Sequence, residues 1–139
     1  MISNKFKVVF CLFLVGCETQ HIQERNNNQI RDSYLYAFKI NYFKKSLIEG
    51  FNNSEEIIAV MARDKSGYGE PILSNEDERM IDSFVKIDNR VMIQDSLNRV
   101  GKVSEGAQGK HTITYALSRF QSKWLDSLAK ERYKVFSPM

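Results

Sequence analysis

Residues 111–133 read HTITYALSRFQSKWLDSLAKERY, and this stretch decides the fold class. Large apolar side chains recur in it at steps of four, three, four and four: Ile113, Leu117, Phe120, Trp124 and Leu128. That spacing predicts one helix over about His111–Tyr133 with all five on a single face, flanked by Ala116 and Leu125. A helix with such a face must bury it against other helices, which favours an all-α protein.

A second helical pattern opens the folded part of the chain. From about Ile30 to Glu49 the apolar stripe comprises Ile30, Tyr34, Ala37, Phe38 and Tyr42. Tyr36 lies off this stripe, so we expect it to be exposed. Gly50 follows the last periodic position, where a glycine in the left-handed conformation usually ends a helix.

The middle of the chain adds two more helices. A short one is predicted over about Ser54–Lys65, with Asn53 as its cap. A longer one begins after Ser74, whose partner in a capping box would be Asp77, and the pattern continues to Val100.

Weak helix formers near Asp88 allow a break in the longer helix, so the count of helices is four or five. Glycines predict a turn at Gly67–Pro71 and a protruding loop at Lys102–Lys110. No stretch alternates as a β-strand would. The sequence therefore predicts a small bundle of four to five helices.

The N-terminus carries the pattern of a bacterial lipoprotein signal. Lys5 and Lys7 precede an apolar run, Val8–Val15, which Gly16 and Cys17 follow. The run is shorter than the roughly 20 residues that span a bilayer. We expect cleavage before Cys17 and lipid on its thiol, which would anchor the protein in a bacterial envelope membrane. The alternative is an uncleaved helical anchor or a chance match to the pattern.

Three segments follow from this prediction: a signal peptide at 1–16, a lipidated polar tether at 17–28 and one helical domain at 29–139. Without the signal, the chain has 18 Lys and Arg residues and 17 Asp and Glu residues, so its formal charge falls from +3 to +1. This balance gives no argument for nucleic-acid binding. The location would be the periplasmic side or the cell surface, and the residue after the cysteine, Glu18, leaves the choice of membrane open.

Reactive side chains are scarce after the signal. No cysteine remains besides Cys17, and the two histidines, His21 and His111, have no spaced partners for a metal site. Carboxylates are plentiful, but only Glu78 and Asp82 stand one helical turn apart, on a face that we expect to be solvated. The sequence predicts no catalytic residue, metal or cofactor. An enzyme that uses an unrecognised carboxylate pair is the alternative.

Three stretches carry a family resemblance: IRDSYLYA at 30–37, DKSGYG at 64–69 and TYALSRFQSKWLDSLA at 114–129. In order and type they resemble the immunity proteins that inhibit peptidoglycan amidases of type VI secretion. Members of that family are small, exported and all-helical. The resemblance implies protection of the cell against an injected cell-wall hydrolase.

The same resemblance implies a dimer that inserts a loop into the amidase cleft. In this chain the loop would be Lys102–Lys110, with its binding side chains at Lys102, Ser104, Glu105, Gly106, Gln108 and Lys110. Glu105 would meet the catalytic histidine, and Lys102 or Lys110 an acidic rim. The alternative for this segment is an ordinary helix connection. The alternative for the protein is a structural or accessory envelope lipoprotein.

Overall fold

A computed structural model describes residues 4–66 and 72–136, with side chains from Glu24 onward. Across these ranges the chain forms five α-helices and no strand, which confirms the predicted small helical bundle. The helices are α1 (Asn4–Gly50), α2 (Glu55–Arg63), α3 (Asn75–Arg99), α4 (Thr112–Phe120) and α5 (Lys123–Phe136), with a 3-10 turn at Glu105–Ala107. Within this part of the chain, no helix is long and apolar enough to cross a membrane.

The chain divides into two compact units, Met1–Ser33 and Tyr34–Met139. In the first unit the side chains from Glu24 to Ser33 are exposed, and Ile30 is 46% exposed, so its predicted place in the core is wrong. The predicted lipidation site Cys17 falls on α1, but its side chain lies outside the described residues. The division into signal, tether and domain stays a prediction.

The core of the second unit is built from three helices. Its buried side chains are Tyr34, Phe38 and Tyr42 of α1, Ile81 and Val85 of α3, and Leu125 and Ala129 of α5. The three α1 residues are fully buried while Tyr36 is 49% exposed, as their spacing predicted. Burial of each large side chain contributes about 1.5–3 kcal/mol, so this cluster is the main source of stability.

Gly50 ends α1 for a reason that differs from the prediction. It is the last helical residue, and the left-handed backbone falls instead on Asn52 and Asn53, each with a φ of 57°. A Cβ on Gly50 would collide with the Thr112 side chain, whose hydroxyl donates to the Gly50 carbonyl at 3.2 Å. Glycine is therefore required here by the close approach of α4.

Ser54, rather than the predicted Asn53, caps α2. Its hydroxyl accepts a hydrogen bond from the Ile57 amide at 3.4 Å. The helix α2 contributes little to the core, since none of its residues is buried and Val60 is 56% exposed. The predicted turn at Gly67–Pro71 lies outside the described residues.

α3 begins as predicted and continues without the break that the sequence allowed. Ser74 and Asp77 form a reciprocal capping box, with the Ser74 hydroxyl 3.1 Å from the Asp77 amide. The helix then passes straight through Asp88, which is only 3% exposed. The polar residue that suggested a break is in fact a buried contact between helices.

The last predicted helix is two helices. α4 ends at Phe120, and α5 begins with the Ser122 hydroxyl accepting from the Leu125 amide at 3.2 Å. The interruption shifts the helical phase, so the predicted five-residue face is not the buried one. Ile113 is 62% exposed and Trp124 38%, whereas the residues buried on α4 and α5 are Thr112, Ala116, Leu125 and Ala129.

Candidate functional site

The loop between α3 and α4 carries the residues that the sequence predicted to bind a partner. Five of them are exposed: Lys102, Ser104, Glu105, Gly106 and Gln108. The sixth, Lys110, is partly buried. Glycines begin and end the exposed part, with φ values of 74° at Gly101 and 105° at Gly109, a conformation that other residues rarely adopt.

The base of this loop is fixed by hydrogen bonds to two other parts of the fold, the helix α3 and the turn after α1. Arg99 Nη2 donates to the Gly109 carbonyl at 2.9 Å. The Lys110 ammonium donates to Asn52 Oδ1 at 2.7 Å and to Asn89 Oδ1 at 3.2 Å. Burial lowers the pKa of Lys110, and the nearby Glu49 carboxylate opposes that shift. Lys110 thus positions the loop, while the other five residues are exposed to solvent.

His111 separates two shallow depressions beside the loop. One, of about 290 Å³, is lined by Phe51 and residues 110–114. The other, of about 270 Å³, is lined by Val91, Met92, Asp95, His111 and Tyr115. The His111 ring contacts the Arg99 guanidinium, with Nδ1 3.1 Å from Nη1. The histidine is an exposed residue at the N-cap of α4.

A buried carboxylate lies below the second depression. Asp88 accepts hydrogen bonds from the Tyr42 hydroxyl at 2.7 Å and the Tyr115 hydroxyl at 3.0 Å. Arg119 donates to both of its oxygens, from Nε at 2.9 Å and from Nη2 at 2.7 Å. Burial and the adjacent carboxylate raise the pKa of both tyrosines. With four donors on one carboxylate, the group is suited to joining helices rather than to accepting a proton from a substrate.

A second buried pair joins α3 to α5. Asp77, 1% exposed, accepts from Arg132 Nε at 2.7 Å and from the Ser74 amide and hydroxyl at 2.9 and 2.7 Å. Burial alone would raise the pKa of Asp77, but these hydrogen bonds outweigh it and lower the pKa. The carboxylate of the cap therefore also anchors the last helix.

The carboxylates that the sequence placed one turn apart, Glu78 and Asp82, both pair with the same lysine. Lys45 of α1 lies 2.7 Å from Glu78 Oε2 and 2.6 Å from Asp82 Oδ1. The Asn41 amide also contacts Glu78. The face that we expected to be solvated is thus turned toward α1, and its charges are used in packing.

Sequence reasoning missed the two Asp–Arg pairs. Asp88 stood out only as a weak helix former, and Arg119 only within the family resemblance. The available signal was spacing: Asp77, Ile81, Val85, Asp88 and Met92 recur at three and four, which puts both carboxylates on the buried face of α3. Which basic residue meets each carboxylate depends on the placement of α4 and α5.

The described residues contain no group of three His, Cys, Asp or Glu side chains that could hold a metal ion. No protein-family model matches the chain, and no curated protein or solved structure compared with it is similar. The function must therefore be argued from the surface of the helical unit.

Proposed function

We propose that this protein binds another protein through the loop between α3 and α4. The observation that carries the proposal is a contrast within the loop. Its base is fixed by Arg99 and Lys110, while the side chains from Lys102 to Gln108 are exposed. A pre-ordered projection loses little conformational entropy when it enters a cleft, which favours tight binding.

The partner that we propose is a secreted peptidoglycan amidase, and the protein would protect the cell by blocking the amidase cleft. Two observations support this choice. The stretches 30–37, 64–69 and 114–129 resemble the immunity proteins of such amidases, and Glu105 is exposed at the start of the 3-10 turn. An exposed carboxylate in a loop is suited to pairing with a catalytic histidine. The protein would act without catalysis, held at the envelope by lipid on Cys17.

The test is inhibition of cell-wall hydrolysis by type VI secreted amidases, in the presence of the full chain in phosphatidylcholine vesicles. Replacing residues 102–108 by glycine and serine should abolish inhibition and keep helicity. Glu105→Lys should weaken inhibition at least about tenfold, a change of roughly 1.4 kcal/mol. The matched control is Glu131→Lys on α5, another exposed glutamate, which should inhibit like the parent protein.

Absence of inhibition of every such amidase would refute the proposed partner. An envelope defect in cells that lack this protein, without any toxin present, would then favour an accessory lipoprotein. An equal loss of amidase inhibition in the Glu105→Lys and Glu131→Lys variants would refute the loop as the binding site.

A further inference from the structure

A strip of surface, which we call the valley, lies along the contact between α3 and the α4–α5 pair and comprises Phe84, Ile87, Val91, Tyr115, Arg119 and Trp124. Residues that come later in α3 contact residues that come earlier in the α4–α5 pair. Phe84 packs edge-on against Trp124 with ring centroids 5.2 Å apart. Asp88 binds Arg119, and Val91 shares a depression with Tyr115. The two walls are therefore antiparallel helices.

The walls of this valley are apolar and accessible. Ile87 is 44% exposed, Val91 49% and Trp124 38%. Ile87 lies between Phe84 and Val91 at helical spacing, so it belongs to the same wall. The valley combines aliphatic side chains with a tryptophan, a tyrosine and an arginine. These last three residue types contribute most of the binding energy in many protein interfaces.

Arg119 gives the valley a specific polar group. Its guanidinium lies 4.8 Å from the Trp124 ring centroid and 5.4 Å from that of Tyr115. Nε and Nη2 donate to Asp88, and Nη2 also to the Tyr115 hydroxyl. Among the described residues, none accepts a hydrogen bond from Nη1. The two N–H groups of Nη1 are thus left for a further acceptor, and a carboxylate forms the strongest such bonds.

The exposed area limits the size of the occupant. An aromatic side chain offers about 150–250 Å² and an aliphatic one somewhat less, so the exposed fractions of Ile87, Val91 and Trp124 amount to on the order of 200 Å². A stable dimer buries roughly 800 Å² on each partner. This surface is too small to hold a second copy by itself, but it suits one face of a short helix.

We infer that this valley binds a short amphipathic helical segment of another protein, with one carboxylate of that segment on Arg119 Nη1. The site is distinct from the α3–α4 loop and does not depend on its function. The bound helix lies along Ile87 and Val91 and covers the Trp124 ring.

Trp124 is the only tryptophan in the sequence, so its fluorescence reports on this site directly. The probe is a designed, tryptophan-free helical peptide of about 14 residues, with leucines on one face and one glutamate in its centre. It is titrated into the full chain in phosphatidylcholine vesicles. We expect a saturable blue shift of the emission. The same peptide with glutamine in place of the glutamate should bind at least about tenfold more weakly.

The chain offers a matched pair of variants on α3. Ile87→Glu should abolish the shift, whereas Ile93→Glu should leave it unchanged, because Ile93 is similarly exposed, at 41%, but on another side of the helix. Circular dichroism checks that both variants fold. The replacement of residues 102–108 should not alter peptide binding.

Three results would overturn the inference. The first is no blue shift with either peptide, or equal binding of the two. The second is an equal loss of the blue shift in the Ile87→Glu and Ile93→Glu variants. The third is a blue shift that grows with protein concentration before peptide is added, which would assign the valley to a second copy of this chain.

Discussion

Arg119 binds both carboxylate oxygens of Asp88, at 2.9 and 2.7 Å, where Asp88 is only 3% exposed. This pair joins the middle of α3 to the end of α4. The hydroxyls of Tyr42 and Tyr115 complete the environment of the carboxylate and bring in α1. One buried charge thus connects three helices, and Trp124 of α5 covers the guanidinium.

Removal of the arginine should be costly because the carboxylate would stay buried without a countercharge. We expect Arg119→Met to lower the free energy of unfolding by about 2–4 kcal/mol, somewhat less than a fully buried pair because Arg119 is partly exposed. Urea unfolding followed by circular dichroism measures the change. The double variant Asp88→Asn with Arg119→Met should lose less than Arg119→Met alone.

The control for this prediction is the exposed pair Lys134–Glu131. Lys134→Met should change the free energy of unfolding by less than about 1 kcal/mol. If Arg119→Met cost no more than that, the Asp88 network would not be a source of stability.

Asp77 should make the fold sensitive to acid. Its pKa in the folded state lies below the ordinary value of about 3.9, so the unfolded chain binds the proton more readily. Its contribution to stability is therefore complete above about pH 4 and is lost as the pH falls through the folded-state pKa. Urea midpoints between about pH 5 and pH 2.5 should fall steeply, and less steeply in Asp77→Asn.

Asp64 provides the comparison for the acid measurement. Its hydrogen bonds with Lys44 and Ser66 also lower its pKa, but the residue is exposed. Asp64→Asn should leave the pH dependence nearly as in the parent protein. An acid profile unchanged by Asp77→Asn would show that other carboxylates cause the loss.

Gly50 should not tolerate alanine, although alanine favours helix by about 1 kcal/mol over glycine. The added Cβ would collide with Thr112 Cγ2 and lie 3.3 Å from Met92 Cε. We expect Gly50→Ala to lower the free energy of unfolding by about 1–3 kcal/mol. Adding Thr112→Ser removes the Cγ2 methyl, keeps the hydroxyl and should restore part of the loss. No recovery would mean that Gly50 is needed for another reason.

The two serine caps should differ in strength. Ser74 takes part in a reciprocal box and also donates to Asp77 Oδ2, whereas Ser54 makes one long bond to α2. We expect Ser74→Ala to cost about 1–2 kcal/mol and Ser54→Ala about 0.5 kcal/mol. Thermal unfolding of both variants measures the difference. Equal losses would show that the Asp77 network does not depend on its cap.

Periodicity predicted three core residues of α1 correctly, since Tyr34, Phe38 and Tyr42 are fully buried, but it placed Ile30 in the core wrongly. It failed for the last helix, because a two-residue interruption at Gln121 and Ser122 changes which side chains face inward. Apolar periodicity predicts the buried face only within one unbroken helix. The exposed loop was predicted from its glycines, but the internal use of Lys110 could not be, because Asn52 and Asn89 are distant in sequence.

The sequence by itself determined the helical class, the capped start of α3 and the buried aromatic positions of α1, because each depends on neighbours within one or two turns. The tertiary structure decided which basic residue neutralises Asp77 and which neutralises Asp88. It also decided why Gly50 must be glycine and which large apolar side chains stay exposed. Those outcomes depend on how helices far apart in the chain approach each other, and local spacing contains no information on that approach.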